Sequence, residues 1–145
     1  MIREVNEDEY EQLMSLYCQL HETRVPEYKG DTKELWQRLV SNPDYHLIAA
    51  EEDGKIVSTC TCIIVPNMTH GPRPYAFVEN VVTDSEYRGR GLATACLERA
   101  KEIAKAENCY RLILMTSSKL DSTLNFYRKA GYDDKEKTGF IQYLD

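Results

Sequence analysis

The sequence predicts one domain of mixed α/β (α+β) class, in which helices flank a mixed central sheet. The chain has 145 residues, which suits a single domain of common size. Segments with strand-type and helix-type spacing follow one another as strand, two helices, three strands, helix, strand, helix, strand. A helix separates the strand at 75–83 from the strand at 111–116, and such a crossover makes two strands parallel. We therefore assign residues 1–145 to one domain.

The N-terminal third is expected to hold one strand and two helices. Residues 2–5 form a short strand-like segment. Asn6 and Glu9 have the spacing of a capping box, which predicts the start of the first helix. The second helix is predicted to begin at Asp31 and to end before Pro43, because the residue before a proline is pushed out of helical geometry. The apolar stripe of the first helix contains Tyr10, Leu13, Met14, Tyr17 and Leu20.

The rest of the chain is expected to form a hairpin followed by alternating strands and helices. Asp53-Gly54 lies between two apolar runs, which is a hairpin signal. The proline- and glycine-rich stretch 66–74 is predicted to be a loop. The expected strands are 45–52, 55–65, 75–83, 111–116 and 140–144. One further helix carries an apolar stripe from Leu92 to Ala104, and another carries Leu120, Leu124 and Tyr127 and ends at Gly131.

Charge and hydropathy disfavour several classes of partner. The chain has 18 basic and 24 acidic side chains and a formal net charge of -6, which disfavours nucleic acid and anionic membranes. No apolar run approaches the roughly 20 residues that span a bilayer. The N-terminus lacks the basic-then-apolar order of a signal peptide. We therefore expect a cytoplasmic protein with no membrane or nucleic-acid partner.

The cysteines indicate neither a metal site nor a disulfide framework. Their number is odd, and Cys60 and Cys62 form a C-x-C rather than the C-x-x-C of zinc and redox sites. We interpret them as small buried thiols in a reducing compartment, with a catalytic thiol as the alternative. The five are Cys18, Cys60, Cys62, Cys96 and Cys109.

A basic, glycine-rich turn lies before the long central helix and reads Arg88-Gly89-Arg90-Gly91-Leu92-Ala93. Glycines let the main chain adopt positive φ and approach a ligand closely. The first N–H groups of a helix lack partners, and together with the helix dipole they form an anion site. The two arginines would add charge-assisted hydrogen bonds. The pattern therefore favours a diphosphate ligand.

Two other phosphate-binding motifs do not match this turn. The P-loop pattern G-x-x-x-x-G-K-[ST] does not occur in the chain. The dinucleotide fingerprint G-x-G-x-x-G needs a third glycine where this sequence has Thr94. That fingerprint also follows its strand directly, whereas residues 84–87 intervene here.

The turn at 88–93 resembles the [QR]-x-x-G-x-[GA] motif of the GNAT superfamily of N-acetyltransferases. A second segment, Phe126-Tyr127-Arg128-Lys129-Ala130-Gly131-Tyr132, is similar to the F-Y-x-K-x-G-F segment of that family's last helix. The order of the elements also agrees along essentially the whole chain. The resemblance implies the GNAT (acyl-CoA N-acyltransferase) fold, acetyl-CoA as cosubstrate and no metal.

The resemblance also implies a role for individual residues. Main-chain groups of residues 81–83 would bind the pantetheine arm as a neighbouring strand would, and amides from Arg88 to Thr94 would hold the pyrophosphate. The Tyr127 hydroxyl would lie near the coenzyme sulfur and protonate or stabilise the leaving thiolate. The implied coenzyme-binding residues are Val81, Val82, Thr83, Arg88, Gly89, Arg90, Gly91, Leu92, Ala93, Thr94 and Tyr127.

Glu79 is the candidate general base, because a protonated alkylamine must lose a proton before it attacks a thioester. A simple ion pair on the strand face is the alternative reading of this carboxylate. Glu79-Asn80 resembles the Glu-Asp pair of amino-sugar-phosphate acetyltransferases, but Asn80 departs from it. The family's frequent asparagine before the final helix is replaced by Leu120. Candidates to substitute for it are Ser117, Ser118 and Ser122.

The sequence therefore predicts an enzyme that transfers an acetyl group from acetyl-CoA to a primary amine of a small molecule within a ternary complex. Two alternatives stay open: a catalytically inert CoA-binding or sensing module, and a protein acetyltransferase acting on lysine or an N-terminus. Small domains of this kind often pair, so a homodimer is one expected assembly. Acceptor-pocket candidates in the loop between the first two helices are His21, Glu22, Arg24 and Tyr28.

Overall fold

The computed structural model describes residues 1–21 and 23–145, in two compact units, residues 1–114 and residues 115–145. In the described residues the larger unit has five strands: β1 (Ile2–Glu4), β2 (Tyr45–Glu52), β3 (Lys55–Val65), β4 (Tyr75–Thr83) and β5 (Leu112–Leu114). Its α-helices are α1 (Tyr10–Tyr17), α2 (Gly30–Ser41) and α3 (Leu92–Ala106). The smaller unit holds α4 (Asp121–Lys129).

The five strands form one mixed sheet in sequence order. Neighbouring strands from β1 to β4 pair antiparallel, whereas β4 and β5 pair parallel. The connection between β4 and β5 contains α3, which confirms the predicted crossover. The predicted α/β class and the flanked mixed sheet are therefore confirmed.

Local signals in the sequence explain where the first two helices begin and end. The Glu9 carboxylate accepts a hydrogen bond from the Asn6 N–H at 2.7 Å, as a capping box requires. A 3₁₀ turn at Glu7–Glu9 leads into α1. At the end of α2, Asn42 has a ψ of 118°, outside the helical region. It precedes Pro43, which confirms the predicted stop.

The sheet is covered on both faces. Leu13 and Leu16 of α1 and Trp36 of α2 share one buried cluster with Leu47 of β2 and Val82 of β4. The other face meets α3, where the thiol of Cys60 donates to the carbonyl of Cys96 at 3.5 Å and Cys62 donates to Ala100 at 3.9 Å.

Three of the cysteine thiols lie inside this packing. Burial raises the pKa of Cys62 to about 12 and the pKa of Cys96 to about 11, and it also raises that of Cys60. A nucleophilic cysteine needs thiolate at the working pH. These three groups therefore act as small apolar side chains, which agrees with the interpretation from the sequence. For Cys18 and Cys109 the expected burial is wrong, because both are only half-buried.

The prediction of a C-terminal strand at 140–144 is wrong. These residues have no strand geometry, and Phe140 and Leu144 are 91% and 90% exposed. The alternation of apolar residues predicted a strand, but a strand also requires a partner for its main-chain groups. β5 is likewise shorter than the predicted 111–116.

The end of α4 agrees with its sequence. Gly131 has a φ of 102°, and its N–H donates to the carbonyl of Arg128 at 3.0 Å. The N–H of Tyr132 donates to the carbonyl of Tyr127 at 3.1 Å. This is the glycine stop that the sequence predicted. None of the described helices combines the length and the apolar character needed to cross a bilayer.

An ion-pair cluster fastens α1 to the first two strands and gives a testable pH dependence. The Arg3 guanidinium lies 2.6 Å from Glu9 and 2.7 Å from Glu51. The hydrogen bond from Arg3 is the main reason that the pKa of Glu9 is lowered. Because the folded-state pKa is lower than the unfolded one, this contribution is present above about pH 4.3 and is lost as the pH falls.

We expect Glu9→Gln to lower the free energy of unfolding at pH 7 by about 1–3 kcal/mol, because a charge-assisted hydrogen bond is weakened. Urea unfolding at pH 7 and pH 3 measures this, and the difference from wild type should shrink at the lower pH. Glu11→Gln is the matched control, since this carboxylate is exposed on α1. A pH-independent difference, or an equal loss in the control, would contradict the assignment.

Candidate active site

The pairing of β4 with β5 ends in the middle of β4. Ala76–Val78 pair with Leu112–Leu114, and residues 79–83 of β4 do not pair with β5. On its other edge β4 stays bonded to β3 as far as Thr83. The second half of β4 therefore presents main-chain N–H and C=O groups on the side of β5. An extended ligand can bind such an edge as an added strand.

A β-bulge lies where the parallel pairing stops. Thr61 pairs with Glu79 but Thr59 pairs with Val82, so one extra residue of β4 is accommodated between them. Asn80 has a φ of 53°, in the left-handed region that asparagine tolerates better than most residues. A bulge changes which side chains face each side of the sheet. Accordingly Val78 faces α3, whereas Val82 belongs to the cluster with α1.

The exit of β4 is fixed by hydrogen bonds around Asp84. Its N–H donates to the carbonyl of Val57 at 2.8 Å, and its carboxylate accepts from the N–H of Glu86 at 3.0 Å. This main-chain hydrogen bond is the main reason that the pKa of Asp84 is lowered, and Lys55 Nζ, 3.6 Å from its Oδ2, adds to the effect. The loop is therefore held rigidly before it reaches the glycines.

The glycine-rich turn presents main-chain donors as the sequence predicted. Gly89 and Gly91 both have a φ of 77°, which other residues adopt only with strain. The N–H of Ala95 donates to the carbonyl of Gly91 at 3.0 Å and is the first helical bond of α3. In the described residues, the N–H groups of residues 92–94 have no acceptor. They point along the N-terminal end of a 15-residue helix, where an anion is stabilised.

Both arginines of the turn interact with other groups of the protein. Arg88 Nε donates to the carbonyl of Thr83 at 3.3 Å. Arg90 Nη1 lies 3.1 Å from Glu52, and its guanidinium lies 4.8 Å from the centre of the Tyr87 ring. Both arginines are exposed. Their direct contact with a phosphate stays a prediction. The contacts that each arginine makes within the protein stabilise the turn.

Glu79 lies at the bulge on the sheet face that α1 covers. Its strand partner Thr61 has its hydroxyl oxygen 3.5 Å from the Tyr17 hydroxyl. Burial raises the pKa of Tyr17 to about 12. Burial also raises the pKa of Tyr45, and the nearby charge of Glu79 adds to that shift. Glu79 itself is exposed and can reach solvent or a ligand.

Tyr17 and Tyr45 are neighbours of this site that the sequence did not predict. Tyr17 lies on the apolar stripe of α1, so its spacing predicted a core residue. Tyr45 begins a strand whose pairing with β3 brings it to the same face. Only the sheet register reveals that both tyrosines lie near Glu79, and no local pattern marks them.

Tyr127 lies on α4 in the smaller unit. Its ring is 5.1 Å from that of Phe126 at 69° and 6.4 Å from that of Tyr132 at 86°. Of the serines that the sequence singled out, Ser118 donates from its hydroxyl to Thr123 at 3.0 Å. The roles of Tyr127 and of these serines stay predictions.

The four acceptor-pocket candidates have different surroundings. The ring of Tyr28 stacks on that of Tyr10 at 4.7 Å, and His21 and Arg24 are exposed. Glu22 lies outside the described residues.

Comparison with known proteins agrees with this geometry. The model of the Acetyltransferase (GNAT) family matches residues 10–132. A glucosamine 6-phosphate N-acetyltransferase of Trypanosoma brucei brucei is 38% identical over 84 residues, which cover 58% of this chain and 55% of that protein. The chain spans 61% and 57% of two further curated relatives, from Methanocaldococcus jannaschii and rice. It thus spans less than two thirds of the length of these proteins.

Solved structures extend the likeness to the whole chain. A structure described as "Putative acetyltransferase from Agrobacterium tumefaciens str. C58" is 34% identical, with a TM-score of 0.89 and 99% of both chains covered. The glucosamine-6-phosphate N-acetyltransferase of Arabidopsis thaliana has the same fold, with 24% identity, a TM-score of 0.87 and 100% and 98% of the chains covered. Together with the unpaired half of β4, its bulge and the donors of α3, these matches show that the chain belongs to the GNAT family of acetyltransferases.

Proposed function

We propose that this protein is an acetyl-CoA-dependent N-acetyltransferase that acts on a primary amine of a small molecule. The observation that carries the proposal is the unpaired half of β4, which is followed, after the turn at residues 84–91, by three unpaired N–H groups at the start of α3. An extended arm with a diphosphate at one end matches this arrangement of donors and acceptors. Acetyl-CoA has that form and supplies an activated acetyl group.

The coenzyme would be held by main-chain groups more than by side-chain charge. Residues 81–83 would bind the pantetheine arm in the manner of a strand, and the amides of residues 88–94 would bind the pyrophosphate. An anion at a helix N-terminus gains about 0.3–1 kcal/mol per site when exposed, and up to about 2 kcal/mol when partly buried. Several such donors, fixed before binding, require little reorganisation of the protein.

Glu79 would accept the proton that the amine must lose. A general base must lie within hydrogen-bond reach of the proton, directly or through one water. Glu79 meets the accessibility requirement because its side chain is exposed at the bulge. A phenol is neutral at pH 7, and burial raises the pKa of the neighbouring Tyr17 and Tyr45 further. Both would therefore orient the amine as neutral hydrogen-bonding groups.

Tyr127 would donate a proton toward the departing sulfur, by the resemblance of its segment to the family motif. A neutral phenol is suited to this role because its proton is retained at neutral pH and can be shared as charge develops. Since no covalent intermediate with the protein is required, much of the rate would come from holding the two substrates together.

Names of related proteins support a small-molecule acceptor. The Trypanosoma brucei brucei relative is named for glucosamine 6-phosphate, and the same name is carried by a rice relative that is 33% identical over 97 residues. The direct test is a panel of amino sugars, polyamines, amino acids and peptides, with release of free CoA as the readout. Turnover with a small amine supports the proposal. Turnover with peptides alone indicates a protein acetyltransferase, and coenzyme binding without turnover on any amine indicates an inert module.

Gly91→Ala should weaken acetyl-CoA binding by at least about tenfold, because a side chain at a φ of 77° strains the turn that aims the donors. Isothermal titration measures the dissociation constant. Gly71→Ala is the matched control, since Gly71 has a φ of 72° in the loop at the opposite end of β4. Equal weakening by both variants, or none by Gly91→Ala, would count against the assigned site.

Glu79→Gln should lower kcat by about 10²- to 10⁴-fold and leave acetyl-CoA affinity nearly unchanged. The defect should shrink as the assay pH approaches the pKa of the amine, because the free amine then needs no base. Steady-state kinetics across pH check this, with the exposed Glu98→Gln on α3 as control. A defect of constant size at every pH would exclude the proton-accepting role.

Tyr127→Phe should reduce kcat far more than it weakens acetyl-CoA binding, because only the hydroxyl group that would donate the proton is removed. Parallel titration and steady-state kinetics separate the two effects. Tyr143→Phe serves as control, since Tyr143 is 86% exposed near the C-terminus. Losing affinity and turnover to the same extent would instead assign Tyr127 to coenzyme binding alone.

A further inference from the structure

Arg111 lies on the same face of the sheet as Glu79. Cys62 pairs with Val78 and contacts α3, so the side chain of Val78 faces α3 and the adjacent Glu79 faces the other way. Phe77 shares the face of Glu79 and pairs with Ile113 of β5. Side chains two residues apart on a strand face the same side of the sheet, so Arg111 lies on the same face as Ile113. The carbonyl of Arg111 accepts from the N–H of Ala76 at 3.0 Å, which fixes its level in the sheet.

Aromatic rings hold the Arg111 guanidinium. It lies 5.2 Å from the centre of the Tyr75 ring and 5.0 Å from that of Tyr110. The two rings meet edge to face at 6.4 Å. His70 stacks on Tyr110 at 3.9 Å and 13°. Such cation–π contacts orient an arginine without neutralising its charge.

Arg73 fixes the chain that leads to Arg111. Its Nε donates to the carbonyl of Asn108 and its Nη2 to the carbonyl of Cys109, both at 3.1 Å. The N–H of Tyr110 donates to the carbonyl of Pro74 at 3.0 Å. The loop at 66–74 and the start of β5 therefore form one hydrogen-bonded corner. Arg73 is a positioning residue here, because its own donors are used within the protein.

The charge of Arg111 is uncompensated. In the described residues it forms no ion pair with a carboxylate, and its buried Nε has no hydrogen-bond partner. A buried donor without a partner is costly and calls for a functional reason. The chain as a whole has a net charge of -6, so an oriented guanidinium without an ion pair gives this face a local positive charge on an acidic protein. A guanidinium of this kind can bind a phosphate or a carboxylate through two parallel hydrogen bonds.

We propose that Arg111 binds an oxyanion carried by the acceptor, so that the preferred acceptor is a primary amine that also bears a phosphate or a carboxylate. The inference rests on the proposed N-acetyltransferase function, in which Glu79 receives the amine. Tyr75, at the level of Arg111, and Glu79 are four residues apart on β4, or about 13 Å along the strand. The guanidinium lies over Tyr75 itself, so the acceptor would span this distance, with its amine at Glu79 and its oxyanion at Arg111. Arg111 is thus a specificity-determining residue for the acceptor.

Binding of matched acceptors tests the proposal without requiring turnover. Glucosamine 6-phosphate and glucosamine differ only in the phosphate, and 6-aminohexanoate and hexylamine differ in the carboxylate. Each is titrated into wild-type protein with and without CoA. We expect the anionic member of at least one pair to bind about 10- to 100-fold more tightly, as a charge-assisted pair of hydrogen bonds allows. The pair that shows the preference identifies the oxyanion.

Variants of Arg111 assign the preference to this residue. Arg111→Gln should remove the preference for the anionic acceptor and leave the neutral acceptor and acetyl-CoA affinity unchanged. Arg111→Lys should keep part of it, because it retains the charge but not the planar fork. Arg99→Gln, exposed on α3, is the control for the change in net charge. With turnover, the effect of Arg111→Gln should appear in KM for the anionic acceptor more than in kcat.

The outcomes separate this proposal from the proposed function. Equal binding of anionic and neutral acceptors, or equal losses for both in Arg111→Gln, would overturn the role of Arg111. If Arg111→Gln does not fold, two other measurements test the role of Arg111: titration of Arg111→Lys, and competition of inorganic phosphate with the anionic acceptor. Lack of competition would overturn the proposal. Failure of acetyl-CoA to bind wild-type protein would overturn the proposed function, while the matched titrations would still report on Arg111.

Discussion

The interruption of main-chain pairing along β4 is the constraint on which the rest of the site depends. Parallel pairing with β5 covers only residues 76–78, and the bulge at Asn80 follows at once. The interruption leaves the second half of β4 able to bond another extended chain. The bulge also turns Val82 toward the α1 side of the sheet. The end of the β5 pairing therefore provides the candidate binding edge, and the bulge sets which side chains of β4 face each helix before the exit at Asp84.

The candidate anion site of this molecule is formed by geometry more than by total charge. The protein is acidic, and both arginines of the turn are engaged by its own groups, Arg88 by a carbonyl and Arg90 by Glu52. The donors at residues 92–94 are in contrast unpaired and aligned with the helix axis. Arg111 follows the same principle at the opposite end of β4, since rings fix its direction and leave its charge available.

The sequence predicted the features that depend on local rules. Glycine spacing, the Asn6–Glu9 cap, the stop before Pro43 and the Asp53-Gly54 hairpin each follow from the conformation of a few adjacent residues. Features that depend on register were not predictable in this way. The bulge, the approach of Tyr17 and Tyr45 to Glu79 and the placement of Arg111 all require knowing which strands pair and where. The incorrect prediction of a strand at 140–144 has the same cause, because an alternation of apolar residues does not show whether a neighbouring strand is available for pairing.

The most direct test of the central claim is an amide NMR titration of the full chain with acetyl-CoA. If acetyl-CoA binds along β4 and at the start of α3, the amide resonances of residues 81–83 and 92–94 will shift together and saturate with one dissociation constant. Those of residues 92–94 will move downfield as their donors gain an anionic acceptor. Saturable shifts confined to other parts of the molecule, with both of these groups unchanged, would contradict the claim.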